Sequence, residues 1–236
     1  MVAGRANAPV MVGCAGLPDR MRRTRYFESL RFLETDLIAQ ARVKQSVLQR
    51  WRDETPEGCG FALLATHSVT HDSEPGAGHF RDSEVVRAGL VATQRAAETL
   101  GAEVVVFRTP PSFTPSVRNR DAMARLFASD TGRALAAAHT LVWSADGLWQ
   151  PAAAAAHAEQ LGMLLAIDPS STEAPPVLGN RAYFRVSGLG SARRGLREDQ
   201  LEAIAAEVSG LERAWVVFAN PDRFRDAQRF DKLIRT

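Results

Sequence analysis

Short apolar runs alternate with amphipathic stretches along the whole chain. The runs Pro9 to Cys14, Phe32 to Asp36, Gly60 to Ala65, Val104 to Phe107, Thr140 to Trp143, Met163 to Ile167, Ala182 to Val186 and Ala214 to Phe218 have the length and apolar content of buried strands. Between them a helical period covers Arg25 to Arg31, Val43 to Arg52, Ser83 to Leu100, Arg120 to Ala128, Pro151 to Leu161, Arg197 to Val208 and Asp222 to Ile234. Pro151 opens its helix where a missing amide hydrogen costs nothing, and Asp222 stands in an N-terminal capping context. Strand and helix alternating about eight times predict an α/β fold, a (β/α)8 TIM-type barrel, with an open doubly wound sheet as the alternative. The sixth unit breaks the pattern. After Ile167 the stretch "DPSSTEAPPVLGNRAYF" has no helical period, so the helix after strand six is expected to be absent or reduced to a turn. No Ser/Gly-rich linker interrupts the alternation, and residues 1–236 read as one domain.

Composition permits this fold without choosing it. The 236 residues are 45% hydrophobic, enough for one barrel or for two small domains. A net charge of +2 gives too weak a field to argue for nucleic acid or a membrane surface, and the basic run "DRMRRTR" reads as a solvated turn. Cys14 and Cys59 lie on apolar runs and read as small buried hydrophobes rather than a disulfide, which suits a reducing cytoplasm. Before Pro18 there is no apolar core of signal-peptide length, and no stretch approaches the roughly 18 apolar residues of a membrane helix. A cytoplasmic protein with no membrane association is the expectation.

Candidate chemistry gathers at strand ends. In "VVVFRTPPSF" the fourth strand ends on Arg108 before Pro110 and Pro111 stop it, which places a guanidinium at the mouth of a barrel, where strand ends carry binding groups. The loop "THSVTHDSEPGAGHF" collects His67, His71 and His79 with Asp72 and Glu74. Those spacings match no standard metal pattern, and Pro75, Gly76 and Gly78 favour mobility, so no metal is expected there. The alanine-rich "LAAAH" and "PAAAAAHAEQ" read as outer helices, because alanine is the best helix former. No triad, phosphate loop or cofactor fingerprint is present, and no cofactor is expected.

Laid out in order, these segments resemble the YecE-like family, domain of unknown function 72, a TIM-barrel-type family whose biochemical role is not established. The resemblance begins at "VGCAG", Val12 to Gly16, and continues through Tyr26 and "FLETD", with Glu34 at the family's glutamate, to Arg50 and Trp51. "TPEGCGFALLATHSVTH" is similar to a family series running from Thr-Pro to Ile-Thr-His, "FRTPPSF" resembles the family's most recognisable signature, Asp168 falls at an aspartate usual after strand six, and "FRVSG" and "VVFANPDRFRDA" resemble its last strands. The departures bear on function. Arg108 stands where the family commonly has glutamine, and Leu37, Ile38, Ala39 and Gln40 replace a Ser-Thr-Phe-Tyr run. Leu64 replaces the third-strand lysine, Trp143 and Ala145 replace a glutamate and an arginine on strand five, and Ser187 and Ala219 replace a histidine and an asparagine. A ligand loses about 1–3 kcal/mol for each polar atom left unpaired by such changes.

What survives at the strand ends is Glu34, Asp36, Arg108, Asp168, Arg185 and Asn220. One reading is an enzyme acting on a small anionic or phosphorylated metabolite, with Arg108 and Arg185 clamping the anion and Glu34 or Asp168 as general acid or base. The favoured reading is a divergent, non-catalytic member whose rebuilt pocket binds a ligand or partner, with Arg108, Arg185, Asp36 and Asn220 as its binding groups. A third is nucleic-acid binding along a rim of Arg22, Arg23, Arg25, Arg193 and Arg194. No pattern identifies a protein partner. The favoured reading carries two geometric expectations: Glu34, Arg108, Asp168 and Arg185 share one mouth, and Trp143 turns inward against Leu64 as an apolar plug.

Overall fold

The computed structural model of the chain describes residues 10–40, 42–171, 177, 179–188 and 195–235. Every apolar run becomes a strand, and the strands pair in sequence order into a closed parallel barrel. They are β1 (Val10–Ala15), β2 (Phe32–Thr35), β3 (Gly60–Leu64), β4 (Val104–Thr109), β5 (Thr140–Ala145), β6 (Leu164–Ile167), β7 (Arg181–Val186) and β8 (Arg213–Phe218). The helices among the described residues are α1 (Arg23–Phe27), α2 (Gln45–Asp53), α3 (His67–Thr70), α4 (Glu84–Leu100), α5 (Val117–Phe127), α6 (Asp130–Ala138), α7 (Pro151–Gln160), α8 (Glu198–Val208) and α9 (Arg223–Leu233).

Two helices depart from the sequence pattern. Where one helix was expected over Arg120 to Ala128, α5 ends at Phe127 and α6 follows, because Ser129 breaks the run. Its hydroxyl donates to the Leu126 carbonyl and accepts the Gly132 amide at 3.2 Å, which caps the second helix. The four-residue α3 is too short to leave a period. Pro151 does occupy the first turn of α7, whereas Asp222 stands at the N-cap of α9 without a side-chain capping bond. Between β6 and β7 no helix occurs among the described residues, and residues 172–176 and 178 of that stretch lie outside them.

The chain divides into two compact units. One takes the spans Met1–Leu33, Thr55–Gly60 and Ile167–Thr236. Within it the Cys14 amide donates to the Tyr26 hydroxyl at 2.8 Å, and that hydroxyl donates to the Phe32 carbonyl at 2.7 Å. One buried phenol thus satisfies a donor of β1 and an acceptor of β2. At Gly13 the backbones come so close that a Cβ would lie 1.8 Å from the Phe32 carbonyl oxygen, so only glycine fits. Cys14 is fully buried and Cys59 half-buried, and each is a free thiol. Burial pushes the Cys14 thiol up to about 12, which leaves it protonated and unreactive.

The other unit takes Glu34–Glu54 and Phe61–Ala166. Leu64 pairs with Val106 and Val106 with Val142, and one step further Phe107 pairs with Trp143 and Arg108 with Ser144. Side chains alternate across a strand, so Phe107 and Trp143 share one face and Arg108 and Ser144 the other. The Phe107 face is the one covered by helices: its ring lies 4.9 Å from Phe127 of α5.

Candidate functional site

The carboxyl ends of β2, β3, β4 and β5 surround a cleft of about 400 Å³ in the second unit, lined by Asp36, Leu64, His67, His71, Arg108 and Asp146 among others. Each polar group arrives by a definable route. Arg108 is the last residue of β4 on the open face of the sheet. Its Nε donates to Asp146 at 3.3 Å, with the two side chains 46% and 38% exposed. Among the described residues its terminal amino groups have no hydrogen-bond partner. Asp146 follows β5, and Gly147 after it has φ +88° and packs so tightly that a Cβ would lie 2.7 Å from Pro111 Cα. The double proline therefore does more than end β4: it is the wall against which the loop carrying Asp146 rests.

That wall is fixed from behind. Phe113, fully buried, lies between Phe80 and Trp149 at ring distances of 5.2 and 5.8 Å, and the Trp149 indole donates to the Phe113 carbonyl at 2.7 Å.

His67 and His71 stand four residues apart at the start and just past the end of α3, and their rings stack at 4.1 Å. The His67 amide donates to the Ala39 carbonyl at 2.7 Å, and Thr70 Oγ1 meets His71 Nδ1 at 2.8 Å. The two imidazoles have pKa values below the ordinary 6.5. Burial is the main cause, with Arg108 opposing a second positive charge on each and His67 doing the same to His71. Asp36 near His67 and Asp146 near His71 act weakly the other way. The lowered pKa values favour the neutral form of both rings, which share the cleft with the side chains of Arg108, Asp36 and Asp146.

The loop after α3 is tied down rather than loose. The Gly78, His79 and Phe80 amides donate to the carbonyls of Ser68, Thr70 and Val69, and Phe80 is buried against Phe107. Asp72 pairs with His79 and Arg81. The mobility expected from Pro75, Gly76 and Gly78 is offset by this folding back. Among the described residues no three of His, Cys, Asp and Glu are grouped to hold a metal ion.

The apolar plug expected from Trp143 does not form. Trp143 is fully buried on the helix-facing side of β5, with ring centroids 4.7 Å from Trp149 and 5.9 Å from His157 of α7. Its indole N–H donates to Thr109 Oγ1 at 3.1 Å, which supplies the partner a buried tryptophan requires. Leu64 alone of the expected pair lines the cleft.

The remaining sequence candidates fall as follows. Glu34, on β2, is buried to 2% exposure and has a partner, and it is Asp36, not Glu34, that lines the cleft. Asp168, Arg185 and Asn220 belong to the first unit. Asp168 accepts from the amide and hydroxyl of Ser170 and, at 2.9 Å, from the Ser187 amide, so it braces the exits of β6 and β7. Asn220 donates to buried Asp226 at 2.8 Å, and that carboxylate also receives the Leu196 amide at 2.9 Å and Arg229 at 3.2 Å. Arg185 is half-buried on β7 and has a partner. Of the proposed basic rim, Arg193 and Arg194 lie outside the described residues. His67, His71 and Asp146 are the cleft residues that strand-end reasoning missed.

No helix among the described residues is long and apolar enough to cross a membrane. Comparison with curated proteins finds no match. Among solved structures, a DUF72 family protein from Enterococcus faecalis V583 superposes with a TM-score of 0.73 at 15% identity, over 96% of this chain and 98% of that one. A DUF72 family protein from Thermotoga maritima MSB8 gives 0.69 at 14% identity, over 97% and 100%. A xylose isomerase-like TIM barrel protein from Mycobacterium smegmatis, in complex with magnesium, gives 0.55 at 13% identity, over 90% and 84%. At these identities the likeness is one of fold. The family described as Protein of unknown function DUF72 matches residues 13–236, and the chain belongs to that family.

Proposed function

We propose that this chain is a ligand-binding barrel protein whose cleft takes a small polar ligand bearing a carboxylate or phosphate, and that it binds without turnover. The observation that carries the reading is the state of Arg108. Among the described residues its guanidinium is held through Nε alone by a half-exposed carboxylate, an arrangement worth about 0–1 kcal/mol. A ligand anion meeting the two terminal amino groups gains a forked, charge-assisted contact and loses little by displacing Asp146. Asp36 and the two imidazoles then favour a ligand that also carries a hydrogen-bond donor. Absence of turnover follows from Leu64 and Ala145, which stand where the family's resemblance places a lysine and an arginine.

Titration with sulfate tests the head of the site. Arg108→Ala should weaken sulfate binding roughly tenfold or more, since hydrogen bonds to a charged group contribute about 1.5–3 kcal/mol. Unchanged affinity would sink the reading.

Binding should also tighten as pH falls from neutrality. An anion beside His67 and His71 favours their protonated forms, so their pKa values are higher in the complex than in the free protein. Protons are then taken up on binding. Affinity rises as pH drops through the bound values and levels off below the free ones. A flat sulfate affinity over that range would separate the imidazoles from the site.

A second reading, general-base catalysis, is favoured by one feature: two neutral imidazoles beside a guanidinium are competent proton acceptors. The two readings part when the protein is assayed beside a family member that keeps the lysine and the strand-five pair, on a substrate of that member. Comparable kcat/KM would establish the enzyme.

A further inference from the structure

Besides its two imidazoles, the ionisable side chains that line the Arg108 cleft are one arginine and two aspartates, Asp36 and Asp146. We propose that the ligand is a zwitterion, an α-amino acid, whose carboxylate meets the terminal amino groups of Arg108 and whose ammonium group meets Asp146 and Asp36. This rests on the reading of the cleft as a binding site and names the class of ligand.

The balance of charge is the first ground. Acidic side chains outnumber basic ones in the lining, and His67 and His71 favour their neutral form and so do little to redress it. The lysine that the family resemblance places on β3 would answer the second aspartate, and Leu64 stands in its place. A simple anion on Arg108 therefore lies beside two carboxylates that repel it. A ligand that brings a cation of its own turns that repulsion into attraction.

The existing ion pair is the second ground. Arg108 Nε donates to Asp146 at 3.3 Å. An anion that displaces Asp146 comes to rest next to the carboxylate it displaced. A zwitterion instead exchanges one pair for two, because its carboxylate forks onto the guanidinium while its ammonium group takes the released aspartate. Since the guanidinium and the Asp146 carboxylate touch, the ligand charges that answer them must also lie close together. One carbon between the two ligand groups, as in an α-amino acid, meets that condition.

The place of Asp36 is the third. Asp36 follows β2, His67 and His71 follow β3, Arg108 lies at the end of β4 and Asp146 follows β5, and these strands are neighbours in that order around the barrel. The two aspartates thus flank Arg108 and the histidines, with Asp36 in electrostatic range of His67 and Asp146 in range of His71. Among the described residues the Asp36 carboxylate has no hydrogen-bond or ion-pair partner. An ammonium group carries three donors and can serve both carboxylates.

Calorimetric titration of matched pairs is the experiment: glycine beside acetate, β-alanine beside propionate and γ-aminobutyrate beside butyrate, with sulfate as the probe of Arg108 alone. Glycine should bind about tenfold tighter than acetate, the worth of a hydrogen bond between charged groups. The advantage of the amine should shrink as the spacer lengthens. Asp146→Asn should remove most of the glycine advantage and at the same time tighten sulfate, because it deletes the competitor for Arg108. A loss of fold weakens both ligands, so opposite changes exclude it. Asp36→Asn should lower the glycine advantage in part. Failure of sulfate to bind the parent protein would count against Arg108 and so against the function proposed above. Sulfate binding with glycine no tighter than acetate, an amine advantage that is flat along the series, or one that survives both aspartate substitutions would overturn the amino acid as the ligand while leaving Arg108 as an anion site.

Discussion

Replacing Trp143 with alanine should destabilise the protein by about 3–5 kcal/mol, the range for deleting a large aromatic from a packed interior. The ring is fully buried and touches Phe113, Trp149 and His157, so its removal leaves a void walled by three rings that cannot collapse into it independently. Against a total stability of roughly 5–15 kcal/mol this is a large fraction, and it should appear as a lower urea midpoint at unchanged slope. Trp143→Phe separates packing from orientation. It keeps most of the contact and deletes only the hydrogen bond to Thr109, whose hydroxyl still donates to the Ser144 carbonyl at 3.3 Å. The cost should fall to about 1–2 kcal/mol, with sulfate affinity at Arg108 unaltered because the ring lies on the other face of the sheet. A change in sulfate affinity on Trp143→Phe would reinstate the indole as a wall of the cleft.

Gly13→Ala should cost more than about 3 kcal/mol, beyond the usual range for overpacking. A methyl 1.8 Å from the Phe32 carbonyl oxygen meets backbone on which no rotamer change can act, so β1 and β2 would have to part. Parting them also breaks the bridge that Tyr26 makes between Cys14 and Phe32. Urea unfolding beside Ser46→Ala, an exposed position on α2 expected within about 0.5 kcal/mol of the parent, gives the comparison. A Gly13→Ala protein as stable as that control would show the close approach to be relaxed in solution.

The strands are legible because each is a short apolar run bounded by breakers, and the order of neighbours around the barrel follows once they are taken in sequence. The face of each strand-end residue was harder. Nearness to strand ends places both Arg108 and Trp143 at the mouth. The register joins Trp143 to Phe107, one residue before Arg108, so the two side chains leave the sheet on opposite faces. A count of residues from the paired position, rather than from the end of the run, carries that information.

His67 and His71 were visible as an i, i+4 pair three residues beyond Leu64. By spacing alone they read as metal-ligand candidates on a loose loop, and the hydrogen bonds that tie that loop down depend on tertiary contacts that no local pattern displays. Asp168 and Asn220 were recognisable as strand-end polar groups, but their bonds to Ser187 and Asp226 join segments distant in sequence.

The seat of Gly147 on Pro111 makes two loops a single mechanical part. Neither the turn after β4 nor the turn after β5 can change length alone without lifting one off the other and carrying Asp146 away from Arg108. Insertions are ordinarily tolerated best at such barrel loops, and here they would have to arrive in matched pairs. A library of single-residue insertions across 109–115 and 145–150 should therefore be depleted at those two turns while accepting insertions at exposed sites such as Glu57.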